Sequence, residues 1–158
     1  MQVLFPLSKI DGSGQWLPSA TPKFPDVAVI NSQKKEILSE KLVKFSIVVN
    51  DPSLAAIFLR PRGSAELISW SFIEEVPQTF NKTYIVSIAN GVESEPLNFD
   101  VTFETDGKTD GPLVDITLVS LKFDRKKDYT VAFQKILNRL PDWAFGINAI
   151  GSVTSYVL

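Results

Sequence analysis

The side chains of this protein that are able to do chemistry are carboxylates, hydroxyls, lysines and indoles, because its 158 residues include no histidine and no cysteine. Without imidazole there is no Ser-His-Asp triad, no Cys-His pair and no zinc site built on histidine. Without thiols there is neither a thiolate nucleophile nor a disulfide framework. Glu74 and Glu75 are the one adjacent carboxylate pair that follows a strand-like run. Neighbours in a strand point to opposite faces, so these two do not make an acid/base pair across one substrate. Convergence of either with Asp100, Asp115 or Asp124 through the fold stays open, against the plainer reading of solvated surface charge.

Four further features carry a chemical reading beside a bland one. Thr105-Asp106-Gly107-Lys108-Thr109-Asp110-Gly111 has the look of a calcium loop. It offers two carboxylates around a lysine and no distal glutamate, so it reads as a hairpin loop. Lys122, Arg125, Lys126 and Lys127 make a small basic cluster suited to an anionic lipid surface. Asp124 and Asp128 dilute it, and a solvated turn is the better reading. Asn81-Lys82-Thr83 fits the N-glycosylation sequon, which becomes informative if the chain is lumenal. Trp70 invites a sugar-stacking reading, but it falls in phase with Ile68 and Phe72, which favours a tryptophan between sheets. Trp143 is read as packing the helix onto the sheet, while Trp16 lies in an irregular segment as either a plug or an exposed ring.

The elements that position these groups follow from period and turns. Val43, Phe45, Ile47 and Val49 share one face of Leu42–Asn50, and Leu97, Phe99, Val101 and Phe103 alternate with polar residues. Leu54–Arg60, Leu67–Ile73 and Tyr84–Ala89 repeat that period of two, the pattern of strands with one face buried. Leu113–Phe123 slips phase after Leu118, which a bulge or burial on both faces would explain. Turns at Pro61-Arg62-Gly63, Asn90-Gly91, Asp106-Gly107 and Asp110-Gly111-Pro112 separate the runs. These features predict a mainly β, antiparallel sandwich of about eight strands. Tyr129, Phe133, Ile136, Leu137 and Leu140 make a helical stripe over 128–140, capped by Asp128 and stopped by Pro141, lying across an edge or end of the sandwich.

The expected organisation is one domain over 1–158: an irregular wrapping segment at 1–41, strands over 42–123, the helix, and a closing strand at 149–158. Within the first segment Val3–Leu7 and Val27–Ile30 are candidate edge strands among several prolines. The expected core includes Trp70, Phe72, Phe99, Phe103, Phe133 and Trp143. A net charge of -2 disfavours nucleic acid as a partner. No stretch approaches the ~18 consecutive apolar residues of a membrane span. The start lacks the basic region of a signal peptide, so delivery to a lumen would depend on a segment upstream.

Ser69-Trp70-Ser71-Phe72, the runs Tyr84–Gly91 and Leu97–Glu104, Leu140-Pro141-Asp142-Trp143-Ala144-Phe145 and Ser155-Tyr156 follow an order that resembles one family. It is the C-terminal lumenal domain of membrane-anchored M28 metallopeptidases, the endoplasmic-reticulum metallopeptidase and vacuolar membrane protease family. The resemblance covers about Phe45 to Leu158 and is loose over the first forty residues. It implies a zinc aminopeptidase-type domain and membrane helices upstream, and a lumenal β-rich domain here, on the vacuolar or endoplasmic-reticulum membrane. The implied partners are those upstream domains and a substrate protein; the implied zinc belongs to the upstream domain, with no cofactor in this chain. No catalytic or metal residue carries over, since the family's ligands include histidine. The missing cysteines depart from animal members and tilt the reading towards a vacuolar one.

Three functions follow for testing. The first is a non-catalytic accessory domain acting by contact. The second is a carbohydrate- or ligand-binding sandwich, which needs an accessible Trp70 or Trp143. The third is an enzyme using carboxylates or a Ser-Lys arrangement, which needs two carboxyl groups converging within ~5–10 Å.

Overall fold

The alternation in Leu42–Asn50 becomes a strand, β2, whose Val43, Phe45, Ile47 and Val49 are all buried while Lys44, Ser46 and Val48 are half-buried on the other face. A period of two places every second side chain on one side, so burying that side removes four apolar groups from water at once. The computed structural model describes residues 28–50, 54–79, 81–90, 95–107, 110–123, 129–144 and 149–158. The remaining strands are β1 (Val29–Ile37), β3 (Leu54–Pro61), β4 (Glu66–Trp70), β5 (Tyr84–Ala89), β6 (Leu97–Glu104), β7 (Val114–Phe123) and β8 (Ala149–Val157), with one helix, α1 (Val131–Leu137).

The architecture is mainly β: two four-stranded antiparallel sheets, ordered β1-β2-β6-β4 and β5-β3-β7-β8. The expected sandwich is therefore what the chain forms. Every connection from β2 through to β7 passes from one sheet to the other. The loop at 105–111 is one of these crossings and not the hairpin expected from its sequence. Its Thr105 is buried: the backbone N–H donates to the Lys41 carbonyl at 2.8 Å, and Oγ1 accepts from the Gly107 N–H at 3.2 Å. Gly107 turns the corner at φ 94, a conformation that a side chain would strain.

Between the sheets lies one hydrophobic cluster, built from Val43, Phe45, Ile47, Phe99, Val101 and Phe103 on one side and Ile57, Leu59, Val114, Ile116 and Leu118 on the other. Phe45 and Phe103 meet edge to face at 6.1 Å. Two contacts fix how the sheets stack. Trp70 at the β4 edge meets Tyr84 of β5 at 6.1 Å between ring centroids. At the opposite end the Tyr156 hydroxyl of β8 accepts the Ile30 N–H of β1 at 3.1 Å. That donor lies beside an irregularity in β1, whose pairing with β2 shifts between Ile30 and Ser32.

Several expectations need correction. Ile68 is 44% exposed and does not share a face with Trp70. The β4–β6 register shifts between Leu67 and Ser69, so Leu67 and Trp70 point inward with a bulge between them. In β7 the phase slip is double-sided burial, because its register with β3 and β8 runs without a shift. Val119 and its β3 partner Ala56 are both fully buried on the face opposite to Ile57 and Leu118. The segment before residue 42 contains the nine-residue edge strand β1. The helix is also shorter than 128–140: Thr130 is its N-cap, with Oγ1 accepting from the Phe133 N–H at 3.2 Å. Asp128, Trp16 and Val3–Leu7 lie outside the described residues, as do Asp124 and the cluster at 125–127.

Candidate contact surface

Carboxylates come first among the groups left to support catalysis. Asp100 on the outer face of β6 pairs with Lys44 of β2 at 2.8 Å. The Lys44 ammonium, then Ser46, holds the Asp100 carboxyl below its ordinary value, and the same bond raises the Lys44 ammonium. Asp115 of β7 pairs with Arg62 at 3.3 Å. Each aspartate is thus held by a cation, on a different sheet. Glu74 and Glu75 are exposed, and the Glu75 carbonyl serves as acceptor for the Trp70 indole N–H at 3.3 Å. The register also sets Glu66 directly opposite Glu104, a like-charge neighbourhood that only the pairing reveals. Burial, with Glu66 second, raises the Tyr84 phenol. Among the described residues no three His, Cys, Asp or Glu side chains gather in a way that would hold a metal ion.

The indoles divide. Trp70 is 8% exposed, edge to face with Phe72 at 5.4 Å and with Tyr84, and offers no platform to a ligand. Phe99 and Phe103 are buried with it, and Phe72 packs against the cluster as a half-buried side chain. Trp143, expected in the core, is instead 85% exposed. Its local backbone explains the reversal. After Leu137 the helix tightens into i→i+3 bonds, from the Arg139 N–H to the Ile136 carbonyl and from the Leu140 N–H to the Leu137 carbonyl, each 3.0 Å. Pro141 cannot continue it. The Ala144 N–H then closes a turn on the Pro141 carbonyl at 2.8 Å, which puts Asp142 and Trp143 at the turn's two central positions.

The apolar stripe of the helix is split in the same way. Tyr129 and Phe133, in edge-to-face contact at 5.2 Å, are half-buried together with Leu137. Phe133 is accordingly not part of the central cluster. Ile136 and Leu140, four residues apart and so on one side, are 38% and 39% exposed, and Val131 is 71% exposed. No residue of α1 is fully buried, so its stripe is covered only in part. Lys135 and Arg139, also four apart, are exposed beside Ile136 and Leu140. The result is a projecting indole, two aliphatic side chains and two cations on the connection between β7 and β8.

Strand β8 adds an edge that pairs with no further strand among the described residues. β8 ends its sheet and runs nine residues in unbroken register with β7, without a charge or a proline, and exposes Val153 and Val157. The edge strand β1 is blunted by Lys34, Lys35 and Glu36, with the Lys35 ammonium 6.0 Å from the centre of the Phe45 ring. The edge strand β4 is short and bulged. Thr117–Ser155 and Ser120–Ser152 hydroxyl pairs, at 3.1 and 2.7 Å, tie β8 to β7.

Comparison with known proteins gives one match. The family described as "Endoplasmic reticulum metallopeptidase 1, C-terminal domain" matches residues 1–156, and the chain belongs to that family. No curated protein and no solved structure matches it. The family's name points to the endoplasmic reticulum, and membership implies other domains in the same protein. The tilt towards a vacuolar member finds no support there.

Proposed function

We propose that this C-terminal domain is a non-catalytic, lumenal accessory domain of a membrane-bound zinc metallopeptidase, and that it works by contact with the peptidase domain of the same protein. The carrying observation is Trp143, 85% exposed at a central position of a turn, with Ile136 and Leu140 of the preceding helical segment also exposed. Leaving an indole in water wastes the burial of roughly 200 Å², which at about 25 cal/mol per Å² amounts to ~5 kcal/mol before ordering costs are subtracted. Tryptophan at the centre of a desolvated patch is the usual anchor of a protein interface, often carrying ~2 kcal/mol or more.

Zinc finds no ligand set among the described residues. The chain has no histidine or cysteine, and its described carboxylates do not gather into such a set. Peptide cleavage therefore belongs to the upstream domain, and this domain covers it, orients it or grips the substrate protein for it. The test is binding of the purified chain to the remainder of the parent protein. Wild type binds, and Trp143→Ala weakens binding at least tenfold while Ile73→Ala, an exposed aliphatic on the β4–β5 connection, leaves it unchanged. Equal binding by all three removes the reading.

A second reading draws on the same ring. Trp143 is flanked by exposed Asn138, Arg139 and Asp142, polar groups of the kind that fix a sugar on an aromatic face. Titration with oligosaccharides, followed by a tryptophan emission change that Trp143→Phe abolishes, would favour it over protein contact.

A further inference from the structure

We infer that Asn81 carries an N-linked glycan, a modification that rests on the lumenal reading above. Asn81-Lys82-Thr83 is the only Asn-x-Ser/Thr triplet in the sequence. The fold presents it as an acceptor. Asn81 and Lys82 are both exposed and both left-handed, with φ 51 and 57, which makes a two-residue turn just before β5. Asparagine is among the residues that tolerate this conformation best, so the turn favours it independently of the sequon. The Thr83 hydroxyl donates to the Asn81 backbone carbonyl at 3.4 Å and so lies close to the acceptor residue. Gln78 and Thr79 are exposed as well, which leaves room for a bulky group.

In the transfer, Nδ2 of Asn81 attacks C1 of the first sugar of a lipid-pyrophosphate-linked oligosaccharide. The C1–Nδ2 bond forms, the C1–O bond to phosphate breaks, the lipid pyrophosphate leaves, and the amide nitrogen gives up one proton. No oxidant or reductant is involved. The position also has a physical use. β5 is an edge strand, and a glycan rooted just before it shields that edge from pairing with other chains. β8 lies at the far edge of the same sheet, so the modification leaves the β8 side open.

The test is glycosidase digestion and peptide mapping of the protein isolated from its own cells, beside the same chain secreted behind a signal peptide. The proposal expects an amidase-sensitive mobility shift in both, with Asn81 converted to Asp on release. Thr83→Ala should lose it and Thr83→Ser should keep it. An unmodified native protein overturns the proposal. The secreted chain then tells which premise failed: modification there faults the lumenal placement, whereas its absence there faults the site itself.

Discussion

Replacing Trp70 and Trp143 one at a time separates the residue that holds the fold from the residue offered to a partner. Trp70 is 8% exposed, touches Phe72 and Tyr84 edge to face, and gives its indole proton to the Glu75 carbonyl. Truncating a buried tryptophan to alanine costs about 3–5 kcal/mol, since lost transfer energy and an unfilled cavity add together. The Glu75 backbone is exposed enough to take water instead, so the broken hydrogen bond adds little. Trp143 is 85% exposed, and the covered remainder is roughly 20–40 Å² of side chain, or ~0.5–1 kcal/mol at most. Urea unfolding with linear extrapolation reads both values, provided each variant keeps the wild-type slope. Against a typical total of about 5–15 kcal/mol, Trp70→Ala should lower the midpoint severely and Trp143→Ala barely at all. A Trp143→Ala loss as large as that of Trp70→Ala would mean the indole is packed, and no free contact surface would remain to argue from.

Two further outcomes follow from named contacts. Tyr156→Phe keeps the ring but removes the hydroxyl that ties β8 to the Ile30 N–H across the sheets, and should cost about 0.5–1.5 kcal/mol with faster amide exchange at Ile30. Asp100→Asn should flatten the acid limb of the stability profile. A carboxyl held below its ordinary value of 3.8 contributes stability that is complete above that value and is lost as pH falls through the depressed one. Urea midpoints measured from about pH 5 down to pH 2 should therefore fall less in Asp100→Asn than in wild type. An unchanged acid limb would show that the Lys44 pair contributes nothing in solution, as many surface pairs do not.

Period-two alternation made β2, β5 and β6 readable, because one face of each is buried and the other wet. β1 was legible only at its start, where Val27–Ile30 was expected as an edge strand, because Asn31–Ile37 is exposed throughout and carries no alternation. β4 was misphased by its bulge, which costs one residue of register and turns Ile68 outward. The phase slip in β7 was visible, but only the unshifted ladder decides between its two explanations.

Side-chain roles were less legible than strands. Trp70, Phe99 and Phe103 sit in strands, where phase predicts burial. Trp143 sits in a turn closed by a single backbone bond, and no periodicity governs which way a turn's central residue points. The helical stripe was real in spacing, yet spacing does not say what covers it, and two of its five residues are left exposed. The Glu66–Glu104 juxtaposition was invisible for a related reason, since only the register of two strands apart in sequence brings them together.

The open face around the β7–β8 connection thus carries the functional account. A photo-crosslinking residue placed at position 143 of the intact parent protein, in its own membrane, tests it most directly. The account predicts a crosslink from position 143 to the peptidase domain and none from the same probe at Ser87 on the β5 edge. A probe at 143 that captures only lipid, or nothing, while the protein remains fully active, would contradict it.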